Sequence, residues 1–266
     1  MSLTVLIDAK LDIQVEVAGE LALCVGVSSP GAAETLSATG QAGESVRVAE
    51  LVGDGGRIHV IDAPAGELLV AYRAEVALPS AEPAAVDDLS ALVYRRPSRY
   101  CPSDELAGLA SAEFGGLDDT SAVFAIERWL YTTLTYSPGA TDASDGALHP
   151  LLTRTGVCRD YAHLGVAMCR ALGLPARYVA AYAPGLDPMD FHAVYEVALD
   201  GRWWVFDGTR LAPRQSLVRI ATGRDAADAA LLTPTSARVG TVAHDLTVTT
   251  ESDLPFDERS QLVALG

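Results

Sequence analysis

The stretch RTGVCRDYAHLGVAMCRALGLPARYV, Arg154 to Val179, decides how the second half of this chain folds. Its residues from Cys158 to Leu172 predict a helix. Gly173 suits the left-handed position just after a helix, and Pro175 prevents the helix from continuing. The stretch therefore predicts one helix with a defined start and end, and the first residue of that helix is a cysteine.

Strands are predicted to follow this helix. The three segments with strand-like patterns are Ala176–Ala183, His192–Leu199 and Arg202–Phe206. Asp200-Gly201, between the last two, is a signal for a tight hairpin. The last two strands should therefore run antiparallel, joined by a short turn.

Helix signals also lie before the opening stretch. From Thr120 to Leu134 the apolar residues are spaced for one helix face. Ser103, followed by Asp104 and Glu105, predicts an N-cap with acidic residues in the first helical turn. The middle of the chain is thus expected to be helical.

The first eighty residues predict strands instead. From Ala9 to Val17 apolar and polar residues alternate with period two, which is typical of a half-buried strand. Four more short runs are separated by segments rich in Gly, Pro, Ser and Asp: Leu21–Val27, Ser45–Val52, Arg57–Ile61 and Glu67–Ala77. Several short strands with turn signals predict a small antiparallel sandwich.

The order of strands, then helices, then strands predicts an α+β chain. Pro79 to Asp88 is rich in Pro, Ala and acidic residues, which favours a linker. We therefore expect a sandwich-like domain over residues 1–80 and a linker over 81–93. A core over 94–240 and a C-terminal strand and tail over 241–266 complete this division.

Composition limits the classes of function. The 266 residues, 49% of them hydrophobic, can bury a sizeable core. A net charge of −16 without any Lys/Arg-rich run argues against nucleic acids and anionic membranes as partners. The apolar runs are too short to span a bilayer, which argues against a membrane-spanning helix. The N-terminus lacks the pattern of a signal peptide. Four cysteines in a chain of this length are not typical of a disulfide-bonded secreted protein. A cytoplasmic location is expected; the oligomeric state cannot be read.

Cys158 stands where a reactive cysteine would be placed. Unpaired N–H groups at a helix N-terminus favour a thiolate, which is the nucleophilic form. Gly156 would allow a tight turn into the helix. Arg159 is expected to favour the thiolate, whereas Asp160 opposes it or pairs with Arg159.

His192 and Asp207 supply what such a cysteine needs. His192 opens one strand of the predicted hairpin and Asp207 closes the other, about equally far from the turn, so the two can meet side by side. A histidine oriented by a carboxylate is the usual partner of a nucleophilic cysteine. Each residue alone also has a structural explanation, as a helix-start cysteine, a strand-end histidine or a turn acid. Of Trp203 and Trp204, one should face the core and the other could wall the site.

Two nearby residues are weaker candidates. Cys169 lies in mid-helix among apolar residues and is expected to be a small buried side chain. It would lie about 16 Å from Cys158 along the helix axis, too far for a shared metal site. His163 is turned about 140° around the helix from Cys158, so we interpret it as a packing or hydrogen-bonding residue.

Taken together, these motifs resemble the bacterial branch of the transglutaminase-like superfamily, whose members are often described as candidate cysteine proteases. The resemblance covers roughly Tyr94 to Val239. It rests on GVCRDYAHLGVAMCRALGLPARYVAAY, DFHAVYEVALDGRWWVFDGT, RPSRYCPSDEL and TGRDAADAALL. It implies a papain-like α+β core with the cysteine on a helix and the histidine and aspartate on an antiparallel sheet. The β-rich N-terminal region resembles the sandwich that precedes this core in bacterial members.

By that resemblance, Cys158 would be the nucleophile, His192 the general base and acid, and Asp207 the orienting carboxylate. The chemistry would be acyl transfer from a peptide or protein amide through a thioester, with no cofactor and no bound metal. Hydrolysis is favoured over cross-linking because water alone completes it. Tyr136 is a candidate second donor of the oxyanion hole, although a core tyrosine is an equal alternative.

Other hypotheses stay open at this level. The cleft could belong to a catalytically silent binding module. Cys158, His192 and Asp207 could instead hold zinc, although no CxxC or HExxH spacing supports that. The polar residues Asp187, Asp190 and Arg202 are expected to line the approach to His192, which indicates a polar substrate.

Overall fold

The computed structural model describes residues 3–28, 33–78 and 82–265. The strands are β1 Leu3–Val17, β2 Gly19–Leu23, β3 Glu34–Gly40, β4 Ser45–Val46, β5 Val48–Gly53, β6 Gly56–Ala63, β7 Gly66–Leu78, β8 Thr135–Tyr136, β9 Thr155–Gly156, β10 Ala176–Tyr182, β11 His192–Leu199, β12 Arg202–Phe206, β13 Val218–Gly223, β14 Leu232–Pro234 and β15 Arg238–Thr250. The helices are α1 Asp88–Val93, α2 Ala107–Phe114, α3 Asp119–Thr133, α4 Leu148–Thr153 and α5 Cys158–Ala171. The α+β class is confirmed.

One sheet has the strand order β15-β1-β7-β3-β4. The alternation predicted for Ala9–Val17 is confirmed as far as Val15: Ala9, Leu11, Ile13 and Val15 are buried and the residues between them are more exposed. Val17, predicted to be buried, is 42% exposed because the strand ends there. The strand is longer than predicted, since it begins at Leu3. Its partner β15 runs antiparallel along most of its length, so a C-terminal strand completes an N-terminal sheet.

The second sheet crosses the predicted domain boundary. Its strand order is β12-β11-β10-β13-β6-β2-β14, and β5 pairs with β6. Strand β6 meets β13 through Gly56 and Ala221. Tyr72 of β7 and Tyr182 of β10 stack in one shared core, with ring centroids 6.2 Å apart. The predicted domain limits stay a prediction; in space, the segments on either side of the linker share a sheet and a core.

Helix α5 lies against strands β10 and β11 and buries nearly every residue after its first turn. Gly165 sets this close approach, since a Cβ there would lie 2.5 Å from the ring of Tyr195 on β11. The hairpin from β11 to β12 turns at Asp200 and Gly201, with φ of 50° and 72°, as predicted. The N-terminus of α5 therefore lies near the N-terminal end of β11, where Cys158 is next to Phe191.

Three predictions about local structure differ from the structure. Ser103 is not an N-cap: residues 103–106 form a turn, and α2 begins at Ala107 because buried Leu106 anchors that turn in the core. The predicted linker contains helix α1, capped by Asp87; its residues 79–81 lie outside the described residues. Strand β3 begins at Glu34, within the segment SSPGAAET (residues 28–35) that is expected to be a turn between two strands. Residues 29–32 of this segment also lie outside the described residues.

Candidate active site

The first turn of α5 holds Cys158 in place. The carboxylate of Asp160 is fully buried and accepts the backbone N–H of Val157 at 2.8 Å and the hydroxyl of Thr141 at 2.7 Å. Gly156 provides the room for this, because a Cβ there would lie 2.8 Å from the Cβ of Asp160. Asp160 thus caps the helix N-terminus from within, and Cys158 is the first helical residue.

Arg159 contacts Asp142 and Asp160. Its Nη2 donates to the carbonyl of Asp142 at 2.5 Å and lies 3.5 Å from Oδ1 of Asp160. Of the two expectations for these residues, pairing between Arg159 and Asp160 is the one that the structure shows.

His192 and Asp207 are brought together at the beginning of β11 and the end of β12. The Nε2 atom of His192 lies 3.1 Å from Oδ2 of Asp207, and both residues are buried. The regular pairing of the hairpin ends at Tyr195 and Phe206, so His192 and Asp207 meet just beyond the last pair of strand residues. Because Nε2 faces Asp207, Nδ1 is the ring nitrogen left for Cys158.

The carboxylate of Asp207 is held on its other side by Thr209. Oδ1 accepts the backbone N–H of Thr209 at 2.8 Å and its hydroxyl at 2.7 Å. The backbone N–H of Asp207 donates to Oε1 of Glu127 on α3 at 3.3 Å. We did not predict a role for Thr209 or Glu127. The sequence does contain a hint of each residue. Asp-Gly-Thr has the spacing of an Asx turn, and Glu127 is a charged residue on the otherwise apolar face of α3.

Electrostatics favour an ionised pair. Burial acts to lower the pKa of His192, but the charge and hydrogen bond of Asp207, with a contribution from Cys158, outweigh burial and raise that pKa to about 10. Burial acts to raise the pKa of Asp207, and the charge and hydrogen bond of His192 and the bonds from Thr209 lower it overall. An imidazolium beside a carboxylate is the expected state at neutral pH.

Cys158 lies next to this pair. Its side chain is half-buried, and Sγ lies 3.9 Å from the carbonyl oxygen of Phe191, the residue before His192. Tyr136 reaches the same place because β8 pairs with β9 through Tyr136 and Gly156. Burial raises the pKa of the Tyr136 phenol, and the side chain and backbone amide of Cys158 both act on it. Tyr136 is 38% exposed, which argues against the core-tyrosine alternative.

The two weaker candidates are buried, as predicted. Cys169 is fully buried. The ring of His163 stacks on Tyr100 at 5.3 Å and lies 5.2 Å from that of Tyr178, and its Nε2 accepts the backbone N–H of Ala226 at 3.1 Å. Burial lowers the pKa of His163 to about 3, so this histidine stays neutral. It is a structural residue.

Two predictions about the surroundings of the site are wrong. Arg202 does not line the approach to His192, because it follows the hairpin turn, at the far end of β11, and donates to the carbonyl of Pro83. Trp203 faces the core as predicted, but Trp204 does not wall the site: its indole N–H points to the carbonyl of Leu199 beside the turn. Of the expected acids, Asp190 lies close to the site, since its Oδ1 accepts the N–H of Phe191 at 2.7 Å.

Comparison with known proteins shows the family to which this fold belongs. A structure of a candidate cysteine protease from Cytophaga hutchinsonii superposes with a TM-score of 0.85 and is 31% identical, over 99% of this chain and 96% of that one. The chain belongs to the transglutaminase-like superfamily. The family model of this superfamily matches residues 110–208, a range that includes Cys158, His192 and Asp207.

Two mycobacterial relatives of this chain are uncharacterised proteins. A protein of Mycobacterium leprae is 31% identical over 146 residues, which are 52% of this chain and 52% of that protein. A protein of Mycobacterium tuberculosis is 37% identical over 115 residues, which are 37% and 36% of the two chains. The chain thus spans about half the length of the first of these relatives and about a third of the second.

Within residues 3–28, 33–78 and 82–265, no cluster of three or more His, Cys, Asp and Glu side chains is arranged to hold a metal ion. Among the helices of the same described residues, none is both long and apolar enough to cross a membrane.

Proposed function

We propose that this chain is a cysteine hydrolase that cleaves amide bonds of a peptide or protein through a thioester on Cys158. The observation that carries the proposal is the buried contact of 3.1 Å between His192 and Asp207, next to a cysteine at the first position of a helix. A helix N-terminus and an imidazolium both stabilise a thiolate. The family relationship supports an enzyme of this general kind.

In the first half of the proposed reaction, the thiolate of Cys158 attacks the amide carbonyl and forms a C–S bond, and the carbonyl electrons move to oxygen. When the tetrahedral intermediate collapses, the C–N bond breaks and the imidazolium of His192 gives its proton to the leaving amine. A thioester on Cys158 and a neutral His192 remain.

In the second half, water attacks the thioester while His192 takes one of its protons. The C–S bond then breaks, which releases a carboxylic acid and restores the thiolate and the imidazolium. The balance is one amide and one water converted to one acid and one amine. Asp207 stays ionised and keeps Nδ1 of His192 turned toward the sulfur.

The negative oxygen of both intermediates needs donors. The backbone N–H of Cys158 is one, since N–H groups in the first turn of a helix have no partner within it. Tyr136 is the second donor in this proposal, because its phenol lies beside the backbone amide and side chain of Cys158. Donors placed where charge develops lower the barrier to acyl transfer.

Acylation by p-nitrophenyl acetate tests the proposal directly. The wild-type chain should release a burst of one equivalent of p-nitrophenol and carry one acetyl group on Cys158 in peptide mass spectra. Cys158→Ala should show neither, and Cys169→Ala should behave like wild type. An unchanged burst in Cys158→Ala would remove Cys158 from the reaction.

A further inference from the structure

Glu127 is a buried carboxylate that the reaction proposed above does not use. It lies in the middle of α3 and is 1% exposed. Its Oε1 atom accepts the backbone N–H of Asp207 at 3.3 Å. Taking a carboxylate out of water is costly, and an apolar residue at this point would suit the face of α3 equally well. Such a residue would leave the buried N–H of Asp207 without an acceptor.

Arginines hold Glu127 in this place. Nη1 of Arg259 lies 3.7 Å from Oε1, and Nη2 of Arg210 lies 3.9 Å from Oε2. Burial raises the pKa of Glu127, and the charges of Arg214, Arg210 and Arg259 act against that rise. The carboxylate of Glu127 therefore faces arginine charges as well as the backbone N–H of Asp207.

The C-terminal segment, residues 257–263, holds the same strand end. The carboxylate of Asp257 accepts hydrogen bonds from Nη2 of Arg214 at 2.9 Å and from Nε of Arg214 at 3.0 Å. The Nη1 atom of the same arginine donates to the carbonyl of Val205 at 3.1 Å. The N–H of Val205 donates to the carbonyl of Val263 at 2.9 Å. The chain is thus fixed two residues before Asp207.

The loop after Asp207 is fixed by the same segment. Nη2 of Arg259 donates to the carbonyl of Ala212 at 2.8 Å, while its Nη1 approaches Glu127. One arginine of the C-terminal segment therefore contacts both the loop that leaves Asp207 and the carboxylate that binds the backbone of Asp207.

From these contacts we infer that Glu127 is a positioning residue for the reaction: it fixes the backbone of Asp207 and, through Asp207, the imidazole of His192. The inference rests on the proposed function, since it assigns to Glu127 the alignment of the pair that serves Cys158. The C-terminal segment takes part by orienting Glu127 through Arg259.

Glu127→Gln and Glu127→Met make a matched pair. Both are uncharged and of similar length and volume, but only glutamine keeps an oxygen that can accept the N–H of Asp207. The rate of alkylation of Cys158 by iodoacetamide is measured from pH 5 to pH 10, with a thermal melt of each variant. At pH 6, Cys158 of Glu127→Gln should react at a rate within about threefold of wild type. Cys158 of Glu127→Met should react about tenfold more slowly, because the buried N–H of Asp207 is then left without an acceptor.

The shape of the profile separates positioning from stability. A residue that only stabilises the fold would lower the melting temperature in Glu127→Met and leave the pH profile unchanged, and this result would overturn the inference. Equal losses in the glutamine and methionine variants would also overturn it. If Glu127→Met does not fold, Arg259→Met serves instead: a loss at pH 6 of about threefold supports the inference, and a wild-type profile contradicts it.

Failure of the proposed function gives a different result. In that case the wild-type chain itself reacts like an ordinary thiol, and its profile is the same in His192→Ala. A wild-type chain that reacts rapidly at pH 6, together with a Glu127→Met chain that does the same, would leave the proposed function standing and remove Glu127 alone.

Discussion

The imidazole of His192 and the carboxylate of Asp207 form a buried pair, with Nε2 and Oδ2 3.1 Å apart and each residue no more than 3% exposed. Neither charge can be screened by water there, so each depends on the other. Cys158 lies beside Phe191, the residue before His192, and contributes to the raised pKa of His192.

Asp207→Asn should lower the rate of acyl transfer more than it lowers stability. The amide keeps the shape of the carboxylate and can still accept from Thr209, but it no longer stabilises an imidazolium. We expect the burst with p-nitrophenyl acetate to slow by about 10²- to 10⁴-fold, the range for loss of general acid–base catalysis. Thermal melts and burst kinetics on one sample compare the two effects, and an unaltered burst rate would take Asp207 out of the mechanism.

The pair should also contribute to stability over a defined range of pH. The pKa of His192 is raised to about 10, so its contribution is complete below the ordinary histidine pKa and is lost as the pH rises through about 10. The pKa of Asp207 is lowered, so its contribution is present above the ordinary aspartate pKa and is lost in acid. The difference in unfolding free energy between wild type and His192→Gln, from urea titrations, should therefore be largest between about pH 4 and 6.5 and should decline from there towards pH 10. A difference that grows above pH 10 would contradict this assignment.

Tyr136→Phe should separate acyl transfer from thiol reactivity. Alkylation by iodoacetamide creates no oxyanion, so its rate should stay within about twofold of wild type, whereas the burst with p-nitrophenyl acetate should slow by about 10²-fold, as for loss of one oxyanion donor. Tyr131→Phe, on the exposed side of α3, is the control and should leave both rates unchanged. Equal burst rates for Tyr136→Phe and wild type would show that the second donor lies elsewhere.

Gly156→Ala should disturb the helix start that presents Cys158. The added Cβ would lie 2.8 Å from Asp160, so we expect a loss of about 1–3 kcal/mol in the free energy of unfolding, the usual cost of overpacking. Gly116→Ala is the matched control, because nothing lies within 4 Å of a Cβ there. Its stability should change by less than about 0.5 kcal/mol. Urea unfolding of both variants makes the comparison, and equal stabilities would refute the steric account.

Local patterns were enough to predict the elements that carry the site. Helix α5, its end before Gly173 and the hairpin of β11 and β12 were predicted because helix stops and two-residue turns have strong residue preferences. The meeting of His192 and Asp207 follows from their roughly equal distance to the turn. The strand alternation of β1 was equally plain, because one of its faces is buried.

The rest depends on contacts between distant residues. A C-terminal strand is predicted after residue 240, but its start at Arg238 and its pairing with β1 are not, because β15 has few buried positions and its partner lies at the other end of the chain. Glu127 meets Asp207 across 80 positions of sequence, and no local pattern shows which strand end a helix residue will face. Arg202 is expected on the approach to His192, but it pairs with Leu199 next to the turn, so the hairpin places it at the opposite end of the strands from His192.

The central claim is that Cys158 and His192 form a thiolate–imidazolium pair. The most direct test is the rate of Cys158 alkylation by iodoacetamide against pH, read by peptide mass spectrometry, in wild type and in His192→Ala. Cys169, which is fully buried, is the internal control. We predict that wild-type Cys158 reacts rapidly well below pH 8, that His192→Ala loses this reactivity, and that Cys169 stays unmodified in both. Reaction of Cys158 like an ordinary thiol, with the same profile in both chains, would contradict the account.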